Sequence, residues 1–437
     1  YDVTAGGAIT DSGTQEITGV TTIAAGSGND ITLDTSTNNF AAAVIITSGN
    51  NVAITDEDAI DLGASTVSGT YDVTAGGAIT DSGTQEITGV TTLEAGSGND
   101  ITLDTPTNNF AAAVVITSGR NVAITDEDAI VLGASTVSGT YGITAAGAVT
   151  DTGALAITGV TTIAAGSGNN ITLDHTSNNF QAAVQITSGN NVTLVDAGAI
   201  DLGASTVSGT YAVTATSGGD ITDSGVLAIT NGATFTAAGG QSILLDQSST
   251  FSSTVTFAAA SGNLKNVTIS DSTALDLAAL TLAKVAGAGG DLTVTAGGAV
   301  TDSGTLVIPG TATISASGQA VTLDDSSNDF GTAAITGANV AVTDTNAIIL
   351  GASTVSGTYD VTAGGAITDS GTQEITGVTT IAAGSGNDIT LDTSTNNFAA
   401  AVVITSGNNV AITDEDAIVL GASTVSGTYG ITAAGAV

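Results

Sequence analysis

Residues 29–34 read Asn-Asp-Ile-Thr-Leu-Asp, an alternation that puts Ile31 and Leu33 on one face and Thr32 on the other. A period of two belongs to a half-buried β-strand, because successive side chains of an extended chain point to opposite sides. Outward from this stretch the same signature, an apolar-x-apolar triplet or its remnant followed by Asp, returns in both directions. It ends at Asp11, Asp34, Asp56, Asp81, Asp104, Asp126, Asp151, Asp174, Asp196, Asp223, Asp246, Asp271, Asp302, Asp324, Asp344, Asp369, Asp392 and Asp414. From Asp11 to Asp414 these 18 aspartates enclose 17 intervals over 403 residues, a mean of about 24.

A longer period encloses the short one. Tyr1, Tyr71, Tyr141 and Tyr211 each open a near-copy, giving units 1–70, 71–140 and 141–210 before a diverged stretch at 211–358. The unit returns at 359–428, and residues 429–437 begin another, so the sequence reads as a window of a longer repetitive chain. Residues 359–428 differ from 71–140 at only four places: Leu93/Ile381, Glu94/Ala382, Pro106/Ser394 and Arg120/Asn408. On this reading the 70-residue unit holds three of the 24-residue repeats.

Short runs rich in Val, Ile and Thr, punctuated by Ser-Gly-Asn, Ala-Gly-Gly, Ser-Gly-Thr and Asn-Asn turns, specify strands rather than helices. Residues 273–284 are the one stretch with a helical pattern, and their β-branched neighbours favour a strand. A repeat of this size fits one coil of a parallel β-helix, in which each turn buries its inward residues against the turns above and below. The expected fold is all-β: a single β-solenoid over residues 1–437, with 18 to 19 turns of roughly 24 residues. At roughly 4.8 Å per turn it would extend on the order of 90 Å. Phe40, Phe110, Phe180, Phe330 and Phe398 each follow a ladder Asp by six residues, and Phe251 follows by five, so they should fill one inner corner. The Tyr series should fall at another corner once per three turns.

The composition excludes several functions. The 437 residues carry 41 acidic and 3 basic side chains, a net charge of −38. Three cations cannot replace phosphate counterions along a nucleic acid, nor dock the chain on an anionic membrane. Yet 42% of the residues are hydrophobic, enough for a core. There is no Cys and a single His, so thiolate and imidazole metal sites are excluded. No apolar run approaches the roughly 18 residues that span a bilayer.

The aspartate series carries whatever chemistry the chain has. If the residues stacked at about 4.8 Å, neighbours would repel by about 0.9 kcal/mol in bulk water, and salt, chain donors or bound cations would have to offset that. Oxygen-only ligands favour Ca²⁺, and the candidate positions in the regular copies are Asp11, Asp34, Asp56, Asp81, Asp104, Asp126, Asp151, Asp174, Asp196, Asp369, Asp392 and Asp414. The competing reading has these carboxylates accepting hydrogen bonds from turn N–H groups, with no cofactor required. Catalysis is not expected. The carboxylate pair Asp56 and Asp58 could act as acid and base, but its Thr-Asp-Glu-Asp-Ala-Ile context recurs at Asp126 and Asp414, and repetition makes a surface rather than an active site. His175 stands where sister copies have Thr35 and Thr105, and reads as an exposed neutral substitution. Arg120, Lys265 and Lys284 read as isolated surface cations.

The cadence GNDITLD (28–34), NNF (38–40), ITSGNNVAITD (46–56) and LGASTVSGTYDVTAGGAITDSGT (62–84) resembles the repeat regions of giant bacterial surface proteins, the filamentous-haemagglutinin-like and autotransporter-like adhesins. The resemblance covers essentially the whole chain. It implies a right-handed β-helix, an extracellular or cell-surface location, and a stalk or fibre serving adhesion, aggregation or matrix building. Expected partners are further copies of the repeat, end to end or in lateral bundles. Cell-surface glycans are the partners on the alternative reading, an adhesin that binds through its lateral surface. The only non-repeated patch that could host such a site is the diverged stretch, above all residues 247–290, which reads as extra loop length.

Overall fold

The structure, a computed structural model, describes residues 1–437. It is an all-β parallel β-solenoid of about 21 turns with no helix. Two compact units, Tyr1–Thr216 and Ser217–Val437, each have this architecture. No helix is long and apolar enough to cross a membrane.

The copy at 71–140 shows how the chain winds. Tyr71–Ala75 lies in one parallel sheet, between Val52–Asp56 and Thr91–Glu94. The next strands, Ile79–Asp81 and Gln85–Ile87, lie in the other sheet against Ile60–Val67. Continuing through Thr91–Glu94, the pair Ile101–Leu103 and Asn109–Phe110, Val114–Gly119, Val122–Asp126 and Ile130–Val137, the chain changes sheet at each step. Seven such steps carry it from Tyr71 to Tyr141, so each copy makes three and a half turns.

The turn is therefore shorter than expected, roughly 21 residues rather than 24, and the turns number about 21 rather than 18 or 19. The reason is physical. Thr91–Glu94, Val114–Gly119 and Ile130–Val137 do not end in the marker Asp, so an aspartate count passes over the half-turns they form. Strand register gives the shorter coil directly, since Val122 pairs with Tyr141 and Tyr141 in turn with Thr161.

A half-integral number of turns has a consequence for the repeat. The strands opened at Tyr71 and Tyr211 lie in one sheet of the first unit, whereas those opened at residue 1 and Tyr141 lie in the other. Successive copies thus present the same residues on alternate sheets. The tyrosines recur every three and a half turns, not every three.

Along Val122–Asp126 the alternation is strict: Val122, Ile124 and Asp126 are buried while Ala123 and Thr125 are half-buried. Phe40, Phe110, Phe180, Phe251, Phe330 and Phe398 are all at most 2% exposed, and Tyr71, Tyr141, Tyr211 and Tyr359 at most 1%. The phenylalanines do not share one corner, however: Phe110 pairs with Ile87 in one sheet and Phe180 with Ile157 in the other, because each copy advances by a half-integral number of turns. Residues 273–284 form strands Leu275–Leu277 and Leu280–Thr281, not a helix. The Gly-Ser-Gly-Asn turns depend on their first glycine, Gly26, Gly96, Gly166 and Gly384, whose φ of +78° to +85° suits a residue without a Cβ.

Candidate functional site

The 18 aspartates do not form one column. They fall into six triplets, one in each of the four 70-residue copies and two in the diverged stretch, and the three members of each triplet have three different environments.

The first member closes a strand and points toward the chain's own donors. Asp81 is half-buried; its Oδ1 accepts the N–H of Asp104 at 3.1 Å, and its Oδ2 accepts Thr105 N at 3.3 Å and Asn108 Nδ2 at 2.7 Å. Asp151, Asp302 and Asp369 repeat the arrangement with Asn178, Asn328 and Asn396. Asp11 accepts from Thr35 N and Asn38 Nδ2 in the same way. Asp223 accepts Asp246 N at 2.8 Å; where the others meet an Asn, its copy has Ser249, whose Oγ accepts Leu227 N.

The asparagine is the partner that the aspartate series does not reveal. Asn38, Asn108, Asn178, Asn328 and Asn396 are fully buried, and Asn108 Oδ1 accepts Gln85 N at 2.8 Å while its amide donates to Asp81. One buried side chain therefore ties two successive turns together. Its sequence signal was the recurrence of Asn-Asn-Phe or Asn-Asp-Phe at five of the corner aromatics.

The second member, at Asp34, Asp104, Asp174, Asp246, Asp324 and Asp392, turns outward and is exposed. Each marks the end of a strand one residue out of step with the first. In the copy at 71–140, Ile79 pairs with Ile101, but Asp104 follows Ile101 by one residue more than Asp81 follows Ile79. Asp104 therefore lands on the opposite side of its strand from Asp81.

The third member is buried. Asp56, Asp126, Asp196, Asp271, Asp344 and Asp414 are at most 2% exposed. Asp126 Oδ2 accepts Phe110 N from the preceding turn at 3.0 Å and Oδ1 accepts Asp128 N at 2.9 Å. The same pair of bonds recurs at Asp56, Asp196, Asp344 and Asp414. Burial pushes the Asp126 carboxyl up to about 6 despite those donors. It also raises Asp56, Asp196, Asp271 and Asp344.

Register also removes the stacking repulsion. Asp81 pairs with Leu62 and Asp151 with Leu132 on the turn before; Asp56, Asp126 and Asp196 pair with Ala75, Ala145 and Ala215 on the turn after. No ladder aspartate sits directly on another in these pairings, and the small Ala leaves room beside the buried carboxylate. For calcium, which takes six to eight oxygens, the ladder supplies no assembled set: no group of three or more His, Cys, Asp or Glu is placed to hold a metal. Within the stretch Gly26–Leu33, Asp30 Oδ1 accepts Asn51 N, Asn50 Nδ2 and Asn51 Nδ2, and these bonds hold its carboxyl below the usual range.

Two of the isolated residues find partners. Arg120 is not alone: its Nε and Nη2 each meet a carboxylate oxygen of Asp100 at 2.8 Å, and its guanidinium holds that carboxyl down to about 2. His175 is half-buried rather than exposed, its Nδ1 accepting Ser177 N at 3.2 Å.

Seven stretches of the chain match one family, described as repeats of unknown function (DUF5649): residues 1–47, 49–117, 119–187, 189–258, 264–336, 337–405 and 407–437. No curated protein and no solved structure matches the chain.

Proposed function

We propose that this chain, which belongs to that family of repeats of unknown function, is a structural spacer: a solenoid stalk or fibre segment of an extracellular surface or matrix protein, with no catalytic role. The observation that carries the reading is that every regular copy devotes its most function-like residues to holding itself together. The first and third aspartates accept hydrogen bonds from their own and adjoining turns, and the buried asparagine accepts one and donates one between turns. What remains outward is the second aspartate with other exposed carboxylates such as Glu57, Asp58, Asp72 and Glu86, and hydroxyls and amides, repeated with little change from copy to copy.

Mechanically, parallel ladders carry tension through many registered backbone bonds, and each corner adds side-chain bonds that must break before a turn peels away. The acidic coat keeps neighbouring edges apart at low salt and sustains solubility. Lateral association through divalent cations between acidic faces is a further part of the proposal.

A spacer should work by length, not by any one copy. Whole copies would be deleted one at a time from the parent surface protein, and adhesion or aggregation of the bearing cells measured. A graded decline that does not depend on which copy is lost is expected. Abolition on loss of one particular copy, with the fold intact, would mean that the copy carries a receptor site.

A further inference from the structure

The diverged stretch contains the one place where the parallel winding is interrupted. Val285 N donates to Ala288 O at 2.8 Å and Ala288 N to Val285 O at 3.1 Å, an isolated antiparallel bridge. The two residues between, Ala286 and Gly287, have φ of +52° and +83°, the signature of a two-residue type I′ hairpin. Residues 284–288 are exposed, so the extra length stands out from the wall as a small arm.

Beside the arm is an open cleft of about 380 Å³. The arm contributes Lys284, the position just before the following strand contributes Asp291, and the next turns contribute Pro309, Thr311, Thr332 and Ile349. Its floor stays low because Gly310 has no side chain: a Cβ there would collide with Asp291 Oδ1. Asp291 Oδ1 accepts Thr311 N at 2.8 Å, which fixes that carboxylate at the cleft wall. Ile349 is 40% exposed and supplies an apolar surface to the cleft.

The charge is out of character as well. In a chain of net −38, Lys284 has no carboxylate within ion-pairing distance, whereas Arg120 is clamped on Asp100. An unpaired ammonium, an anchored carboxylate, two threonines and an apolar patch converge on one concavity that no other copy possesses.

We propose that this cleft binds a small carboxylated polyol, a sugar acid. Lys284 pairs with the ligand carboxylate, Asp291 and the two threonines take its hydroxyls, and Pro309 and Ile349 pack against its C–H face. The −38 net charge does not forbid an anion here, because charges beyond about 8 Å are largely screened at physiological salt. The site is independent of the spacer reading, since a stalk can carry it or lack it.

The test is titration of the full chain with galacturonate, gluconate and neutral galactose at about 0.15 M salt, followed by ligand-observed NMR and calorimetry. Galacturonate and gluconate should bind, and galactose at least tenfold more weakly. Lys284→Gln should lose at least tenfold in galacturonate affinity, while Arg120→Gln, outside the cleft, should retain it. Circular dichroism and melting of both variants establish that they fold. No binding of either acid, equal binding of galactose, or unchanged affinity in Lys284→Gln would overturn the proposal. Binding of galacturonate without gluconate would also overturn the general class, by narrowing the site to ring sugars.

Discussion

Buried carboxylates make the stability of this protein respond to mild acid in an unusual sense. For Asp126 the folded carboxyl titrates at about 6 and the unfolded one at 3.8, so between those values the folded chain holds more protons. Stability then falls as pH rises through that window and is regained on acidification. Asp56, Asp196, Asp271 and Asp344 shift in the same direction. Asp100, held down to about 2, works in the opposite sense and loses its contribution as pH drops from 3.8 toward 2. Melting followed from pH 7.5 downward should therefore show Tm rising to a maximum between pH 4 and 5 and declining below about pH 3; a Tm that falls steadily from neutrality would contradict these environments. The buried asparagine gives a second test. Asn108→Ala leaves Asp81 Oδ2 and Gln85 N short of a partner and should cost about 2 kcal/mol or more by urea unfolding. Asn109→Ala, whose side chain points away from the core, should stay within about 0.5 kcal/mol.

Each corner is assembled from three consecutive turns, so its strength resides in the strand pair rather than in any single contact. Asp81, Asn108 and Asp126 sit on successive turns of one sheet and are joined through Gln85 N and Phe110 N. With their oxygens already engaged by chain donors, calcium has little to add. Chelation of divalent ions should leave Tm unchanged, and a fall of several degrees would show that ions bridge the exposed second aspartates instead. The Arg120 pair is peripheral by comparison. Arg120→Asn installs the residue that the sister copy carries at Asn408 and should not change Tm measurably, although the Asp100 carboxyl should titrate higher than about 2 by NMR.

Three and a half turns per copy makes the two sheets of the first unit chemically equivalent. Tyr71 opens a strand in one sheet and pairs with Thr91; Tyr141 opens a strand in the other and pairs with Thr161, the matching residue of its own copy. Deleting 71–140 therefore moves every later strand of that unit to the opposite sheet, yet Tyr141 inherits the neighbours of Tyr71. Because solenoid stability is a sum of local interfaces, the deletion should preserve the β-sheet circular dichroism and shift Tm by no more than a few degrees. A deletion of 71–110 breaks the order of strands within a copy and should unfold the adjoining turns. Loss of cooperative melting after the whole-copy deletion would mean that the two sheets are not interchangeable.

Much of this was readable from the residues alone. Alternation at Ile31 and Leu33, the spacing of Asp and Phe, and the near-identity of copies were sufficient for an all-β solenoid with buried aromatics, because inward and outward positions differ in polarity along the strands, whereas the placing of Phe110 and Phe180 in opposite sheets was not legible. The turn length was not readable in the same way. Sequence repetition counts chemical motifs, whereas a turn is counted by which strands hydrogen-bond, and half-turns without an Asp leave no mark on the first count. Nor could spacing separate Asp81, Asp104 and Asp126, which look alike in the chain. A one-residue difference between motif spacing and strand register turns one inward to an asparagine, one to solvent and one into the core, and only the pairing of strands distant in sequence sets that difference.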